Sequence, residues 1–277
     1  MSLPLFAKTL GLDLIIRADG GVVLIELQNH FGRTGLMRLH PEVSRRHREC
    51  SRKLRERYGR YPALYRKFGA VCSNKIETYR RLSRYQPRSR PCHRWTPGVA
   101  SWASGLSSKH IIIKPPRGSC GRGIRVVPRH DLGPDDFPPF LPGPLLLQEY
   151  TESKRLTGPD GLFHMGCIRH ILHFFSDGRR IGFIHLPPYW RVAPEPYTTS
   201  PVREAFTANI SRGAFPLPVD SDDGRVVRSR AEDVVLDLTG SLLAAGRLSL
   251  GSSARITSDG ELREDRPGKV DKPPGVR

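Results

Sequence analysis

Residues 110–127 read HIIIKPPRGSCGRGIRVV, the strongest signal in the chain. His110 to Lys114 is a short β-branched run of the kind that forms a strand, and Ile124 to Val127 is a second. Between them lies a loop rich in Pro and Gly. Glycines at 118, 121 and 123 let backbone N–H groups converge on an anion with no side chains in the way. Lys114, at the strand end, supplies a point charge for phosphate. This is not the phosphate loop of GxxxxGK[ST] form, because its lysine precedes the glycines and a strand follows. Residues 128–144 form a Pro-rich connection that a helix cannot cross. Then comes LLLQEY at 145–150, a buried strand whose polar end, Gln148, Glu149 and Tyr150, can read an adenine edge and ribose hydroxyls.

Working outward, residues 12–29 carry two apolar runs around Ala18-Asp19-Gly20-Gly21, a hairpin signal. Residues 41–58 predict a helix. Pro41 suits a first helical position and Glu42 favours the positive end of the helix dipole, while Gly59 is a stop. Ser73 is placed to cap a second helix through about Ser83, and residues 86–109 read as a loop or boundary. Strands are expected near 163–175 and 180–186, with Asp177-Gly178 at the turn. A loop follows over 187–203, then a helical stripe over 230–247 and a last hairpin around Asp259-Gly260.

The chain has 277 residues, with 45 Lys and Arg against 27 Asp and Glu, a formal net charge of +18. Arginine dominates, with 36 Arg to 9 Lys. Hydrophobic residues at 38% and charged residues at 26% exclude a wholly disordered or fibrous chain. No run of apolar residues is long enough to span a membrane. Lys8, Asp13, Arg17 and Asp19 make the first residues unlike a signal peptide, so the expected location is cytoplasmic. Five scattered cysteines with no C-x-x-C pair fit no zinc template and read as free thiols. The charge is uneven, because residues 38–94 hold 18 basic and 4 acidic residues. Such an excess attracts polyanions. The aromatic residues there (Tyr58, Tyr61, Tyr65, Phe68, Tyr79 and Tyr85) suit either stacking on bases or packing between helices.

Taken in order, SNKIETY at 73–79, the 111–127 loop, LLLQEY at 145–150, Arg169, YWRVA at 189–193 and ANISRGA at 208–214 resemble the ATP-grasp family of carboxylate–amine ligases. The resemblance covers about residues 70–268. It implies an α+β fold of ATP-grasp architecture, in which two α+β subdomains clamp a nucleotide, preceded here by a basic, partly helical N-terminal region. The implied organisation is an N-terminal hairpin and basic helical region over 1–69, the ATP-grasp-like domain over 70–268 and a tail over 269–277.

Residue by residue, the resemblance makes Lys75 and Lys114 nucleotide-phosphate lysines. Gly118, Ser119, Gly121, Arg122 and Gly123 become the loop over the β- and γ-phosphates, and Gln148, Glu149 and Tyr150 the adenine and ribose strand. It puts Arg169, Arg191 and Asn209 near the carboxylate substrate or the transferred phosphoryl group, where cations stabilise developing charge. It implies ATP and Mg2+ as cofactors, and a small-molecule carboxylate and amine as substrates. The family's metal motif, an Asp on one strand and Glu-x-Asn on the next, is altered at the C-terminal end. There Glu264 and Asp265 keep oxygen donors, while Arg266 stands in the Asn position. The N-terminal hairpin resembles the same arrangement, with Asp13, Glu26 and Gln28 as the alternative metal ligands, as a permuted or duplicated element would supply them. The rival reading is a catalytically impaired nucleotide-binding module, or a basic nucleic-acid-binding module that makes its polyanion contact through 38–94.

Overall fold

The computed structural model describes residues 3–29, 32–118, 123–137, 143–197, 213–243, 250–257 and 261–265. It is a mixed α+β structure built on two main sheets. The larger sheet is organised by an 11-residue strand, β9 (Gly166–Ser176). On one edge of β9 lies β1 (Phe6–Ile16), antiparallel over nine paired positions from Phe6↔Ser176 to Leu14↔Ile168. β1 in turn pairs with β2 (Val22–Gln28), closing the expected hairpin. The other edge of β9 is shared by β10 (Ile181–His185) and β11 (Tyr189–Val192). β11 pairs with β12 (Phe215–Pro218), and β10 pairs in parallel with β13 (Leu250–Ile256), which carries β14 (Leu262–Asp265). The N-terminal hairpin therefore shares one sheet with strands from beyond the 69/70 division.

The smaller sheet has the order β3 (Ser89–Cys92), β6 (Leu145–Glu149), β4 (His110–Lys114), β5 (Arg125–Pro128). A short ladder of β7 (Leu156–Thr157) and β8 (Phe163–His164) stands apart. Ile111, Ile113, Leu145 and Leu147 of the smaller sheet bury against Val99 and Ala103 of helix α5 (Pro97–Ser104). So the segment 86–109, read as a loop, contains a strand and a helix. Thr96 starts that helix, its hydroxyl accepting from the Val99 N–H.

The two faces of the larger sheet are covered differently. α1 (Thr34–Leu39) and α2 (Pro41–Tyr58) lie on one face, burying Leu36 and Val43 against Ile171 and Tyr189. α2 begins at Pro41 and ends at Gly59, whose φ of +73° a residue with a Cβ rarely adopts. Its outer face carries Glu–Arg and Lys–Glu pairs one turn apart, such as Glu42 with Arg46 and Arg52 with Glu56. The other face holds the main core. There α6 (Ser221–Leu243) inserts Val227, Val234 and Leu238, and α3 (Pro62–Ser73) inserts Leu64, Phe68 and Val71. α3 is absent from the sequence reading, although its three apolar residues recur at helical spacing. α4 (Lys75–Leu82) follows, capped by Asn74 rather than Ser73, with the Asn74 side-chain oxygen accepting from Ile76 and Glu77 N–H. No helix among the described residues is long and apolar enough to cross a membrane.

One glycine shows how tightly this sheet is fitted. Gly182 on β10 sits opposite Phe175 on β9, and a Cβ at 182 would lie 2.5 Å from the ring. The ring cannot simply swing aside, because it stacks on Tyr58 with centroids 4.6 Å apart. Gly182→Ala should therefore destabilise by about 1–3 kcal/mol, the usual cost of overpacking. Denaturant unfolding reads this, and adding Phe175→Leu should recover part of the loss. An unchanged midpoint in Gly182→Ala would refute the packing argument.

Candidate functional site

Side chains on a strand alternate between faces, and residues paired across strands share a face. Glu26, Asp13, Arg169 and Tyr189 form one such row across β2, β1, β9 and β11. Gln28, Cys167 and Arg191 are two residues from members of this row, so they lie on the same face. The opposite face at this level carries Leu12, Leu14, Leu27, Ile168 and Trp190, all in the main core. Period-two alternation alone thus gathers a polar group on one face at this level of the sheet, opposite apolar residues.

Asp13 is the centre of this group and is 2% exposed. Its carboxylate accepts from Arg169 Nε at 2.5 Å and from a second Arg169 nitrogen at 3.0 Å. Arg191 approaches it at 2.9 Å and the Gln28 amide nitrogen at 3.1 Å. Burial alone would raise the Asp13 pKa, but the two guanidinium groups outweigh it and hold the carboxyl below its ordinary value. Arg191 is matched in return. Burial opposes its charge, yet Asp13 and the Cys167 thiol, which accepts from it at 2.9 Å, keep the guanidinium protonated. Cys167 was missed in the sequence reading, although its position two residues before Arg169 signals the shared face. Its thiol pKa is raised, chiefly by burial.

The two lysines come from other elements and meet this row. Lys75 opens α4, and its backbone N–H donates to the Pro116 carbonyl at 2.8 Å. Its Nζ donates to the Gly118 carbonyl at 2.9 Å and lies 3.4 Å from a Glu26 oxygen. Lys75 therefore ties the start of the glycine loop to the carboxylate hairpin. Lys114, at the end of β4, is 4% exposed and donates to Gln148 Oε1 at 2.5 Å. Burial, reinforced by the repulsion of Lys75 and opposed by Glu26 and Asp13, lowers its pKa to about 8. Gly118 and Gly123 flank the loop with φ of +131° and +71°, a conformation that favours glycine. Ser119, Cys120, Gly121 and Arg122 between them lie outside the described residues.

The end of β6 is more committed than the sequence suggests. Gln148 is fully buried, accepting from Lys114 and donating to Ser89 Oγ at 3.1 Å. Glu149 accepts through Oε1 from the Ser107 N–H and hydroxyl, both at 2.7 Å, and from the Ser108 N–H at 3.0 Å. Those bonds more than offset burial and lower its pKa. The N–H groups of Glu149 and Tyr150 donate to the Arg88 and His110 carbonyls. Tyr150 is buried, and burial raises its pKa.

Arg169 and Arg191 thus hold Asp13, Lys75 stands beside Glu26, and Lys114 lies within electrostatic reach of both carboxylates. With four cations to two carboxylates, the group is electropositive and favours an anion of more than one charge. For a cation such as Mg2+ the donor set is mixed. Asp13 already has four N–H donors on its two oxygens, about its full acceptor capacity. Among the described residues Glu26 accepts from Gln28 at 3.0 Å, beside the looser Lys75 contact. Glu26 and the Gln28 carbonyl are the hard oxygens that fit such an ion.

Glu264 and Asp265, on β14, sit elsewhere. They pair with Ala254 and Ser253 of β13, whose partner β10 adjoins the far end of β9. That is roughly 14 to 17 Å along β9 from Arg169 and three strands across. Their side chains, and all of Asn209, lie outside the described residues. Among the described residues no group of three or more His, Cys, Asp or Glu gathers as metal ligands would.

No protein-family model matches the chain, and no curated protein matches it. Among solved structures, it is similar to the crystal structure named "Putative gamma-glutamylcysteine synthetase" from Methylobacillus flagellatus KT. The identity is 14%, the TM-score 0.31, and the match covers 66% of this chain and 49% of that one. The chain thus spans about half the length of that structure.

Proposed function

We propose that this chain is an ATP-binding ligase of ATP-grasp type. It activates a carboxylate as an acylphosphate and joins it to an amine. The observation that carries the reading is Lys75, whose single ammonium links the Gly118 carbonyl to Glu26. That link, from Gly118 at the start of the loop to the hairpin whose Asp13 is held by Arg169 and Arg191, supports one phosphate-facing site. In this reading Lys75, Lys114 and the loop from Gly118 to Gly123 hold the triphosphate. Arg191 and Arg169, oriented by Asp13, meet the charge that builds on the transferred phosphoryl group. The substrate carboxylate oxygen bonds to the γ-phosphorus as the bond to ADP breaks, and the amine then displaces phosphate. Glu26 and Gln28 would hold Mg2+, which when bound neutralises phosphate charge.

ADP release with Mg·ATP across a panel of amino acids and small carboxylic acids tests the reading. Lys114→Ala should weaken ATP binding at least tenfold, measured by fluorescence titration or thermal shift. ATP should also bind less tightly above pH 8, because the phosphates bind the protonated lysine and its pKa is about 8. The loss approaches tenfold per pH unit. Wild-type affinity in Lys114→Ala would remove Lys114 from the site. Absence of any ATP-induced shift would end the nucleotide reading.

A second reading, a nucleotide-binding module without turnover, draws on the saturation of Asp13 by its four donors. ATP binding with no ADP release on any member of the panel would select it.

A further inference from the structure

The Arg-rich helices leave one built cavity that the nucleotide reading does not use. It has a volume of about 360 Å3 and lies between the start of β1, α2 and the start of α3. That volume is at the lower end of the range for small-molecule sites. Three cations line it: Lys8, Arg55 and Arg60. Among the described residues no Asp or Glu lines it. The acids of α2 are paired on its outer face, Glu42 with Arg45 and Arg46, Glu49 with Lys53 and Glu56 with Arg52. Arg55 and Arg60 have no acidic partner among the described residues.

The floor is polar and ordered. Thr9 Oγ1 lies 2.7 Å from His173 Nδ1, and His173 Nε2 lies 3.1 Å from His47 Nδ1. The two rings stack with centroids 4.9 Å apart. Ser51 Oγ stands 3.4 Å from Thr9 Oγ1. Lys8 is held in place, donating to Asn29 and lying 4.7 Å from the centre of the Tyr65 ring. Burial lowers its pKa, the cost of keeping an ammonium largely out of water.

We propose that this cavity binds a small phosphorylated molecule, its phosphoryl group seated between Lys8 and Arg55 with Arg60 at the mouth. Three cations with hydroxyl donors on the floor suit a compact dianion. A half-open pit of this size admits a phosphate group and a short carbon skeleton. The inference is independent of the ATP reading, and it gives part of the surplus charge of residues 38–94 a ligand.

The test follows the imidazole resonances of His47 and His173 by NMR, because these rings line this cavity and not the lysine–arginine group. Inorganic phosphate and glycerol phosphate are titrated at ionic strength matched with chloride. Both rings should shift and saturate with phosphate, and chloride should leave them unmoved. Tighter binding of glycerol phosphate would identify a phosphomonoester ligand, and tighter binding of phosphate the free anion. The Arg55→Ser/Arg60→Ser double variant should weaken binding at least tenfold while keeping the wild-type circular dichroism spectrum. Ser51→Leu, which fills the cavity without changing charge, should do the same. The proposal is overturned if the rings do not saturate with either probe, if both variants bind as wild type, or if the rings answer to a duplex RNA and not to phosphate.

Discussion

Asp13→Ala should lower the unfolding free energy by about 3–5 kcal/mol, the usual result of removing one partner from a buried ion pair. The reason is what remains. Arg169 is 3% exposed, and Arg191 is largely buried beside it. Without Asp13, two guanidinium groups share a desolvated space with one fewer anion, and the Gln28 amide loses an acceptor. Asp13→Asn should cost less, since one oxygen still accepts. Reversing the deficit should help as well. Asp13→Leu combined with Arg169→Met removes both charges, and should be more stable than Asp13→Ala. Urea unfolding at neutral pH measures all three. A loss below about 1 kcal/mol in Asp13→Ala would mean that water or local relaxation replaces the carboxylate, and the buried pair would not be the anchor of this sheet.

The second large effect is an acid limb set by histidines rather than carboxylates. Burial, with Arg33, Arg48 and Arg55 nearby, lowers the His47 pKa from 6.5 to about 4. Burial takes His173 well below 6.5, with His47 and Arg55 adding to it, and His170 likewise with His185 and Arg228. These folded-state values are depressed, so between about pH 6.5 and 4 the unfolded chain binds protons that the native chain does not. Stability must therefore fall as pH falls through that window. His47 alone accounts for about 3 kcal/mol over the window, at 1.36 kcal/mol per pKa unit. Asp13 and Glu149, whose pKa values are also lowered, lose their stabilisation only at lower pH. Thermal melts from pH 7.5 to 4.5 should show the fall, and His47→Gln should flatten it. A Tm that is level across this range would sink the assignment of these rings as buried and neutral.

The same histidines show what a sequence can and cannot tell. Alternation along a strand predicts that His170 and His173 point to opposite faces, and they do. His170 stacks on His185, which reaches Glu232 of α6, while His173 stacks on His47 of α2. The partners are another matter. His47 is 126 residues from His173, and no local pattern records a contact over that separation. The hairpin of β1 and β2 was legible because Asp19-Gly20-Gly21 between two apolar runs has a local turn chemistry. α2 was legible from Pro41, Glu42 and Gly59 for the same reason. α3 was not read: Pro62 opens it as Pro41 opens α2, but its first turn carries no acid and no glycine ends it, so burial of Leu64, Phe68 and Val71 sustains it.

The candidate site divides along the same line. From the sequence alone came the chemistry of its parts: a lysine before a glycine loop, a strand ending in Gln148 and Glu149, and a hairpin carrying Asp13, Glu26 and Gln28. Each is a local arrangement, governed by turn propensity and by the period of side chains along a strand. Only the tertiary structure decided which parts meet. Pairing of β1 with β9 put Asp13 opposite Arg169, and the start of α4 brought Lys75 to Glu26 and Gly118. The C-terminal pair Glu264 and Asp265 went to the other end of the sheet. Strand order depends on which apolar faces can be buried together across the whole chain, and that free energy is non-local. For this protein the residues declared their chemistry one segment at a time, and the folding of the eight-stranded sheet chose the constellation.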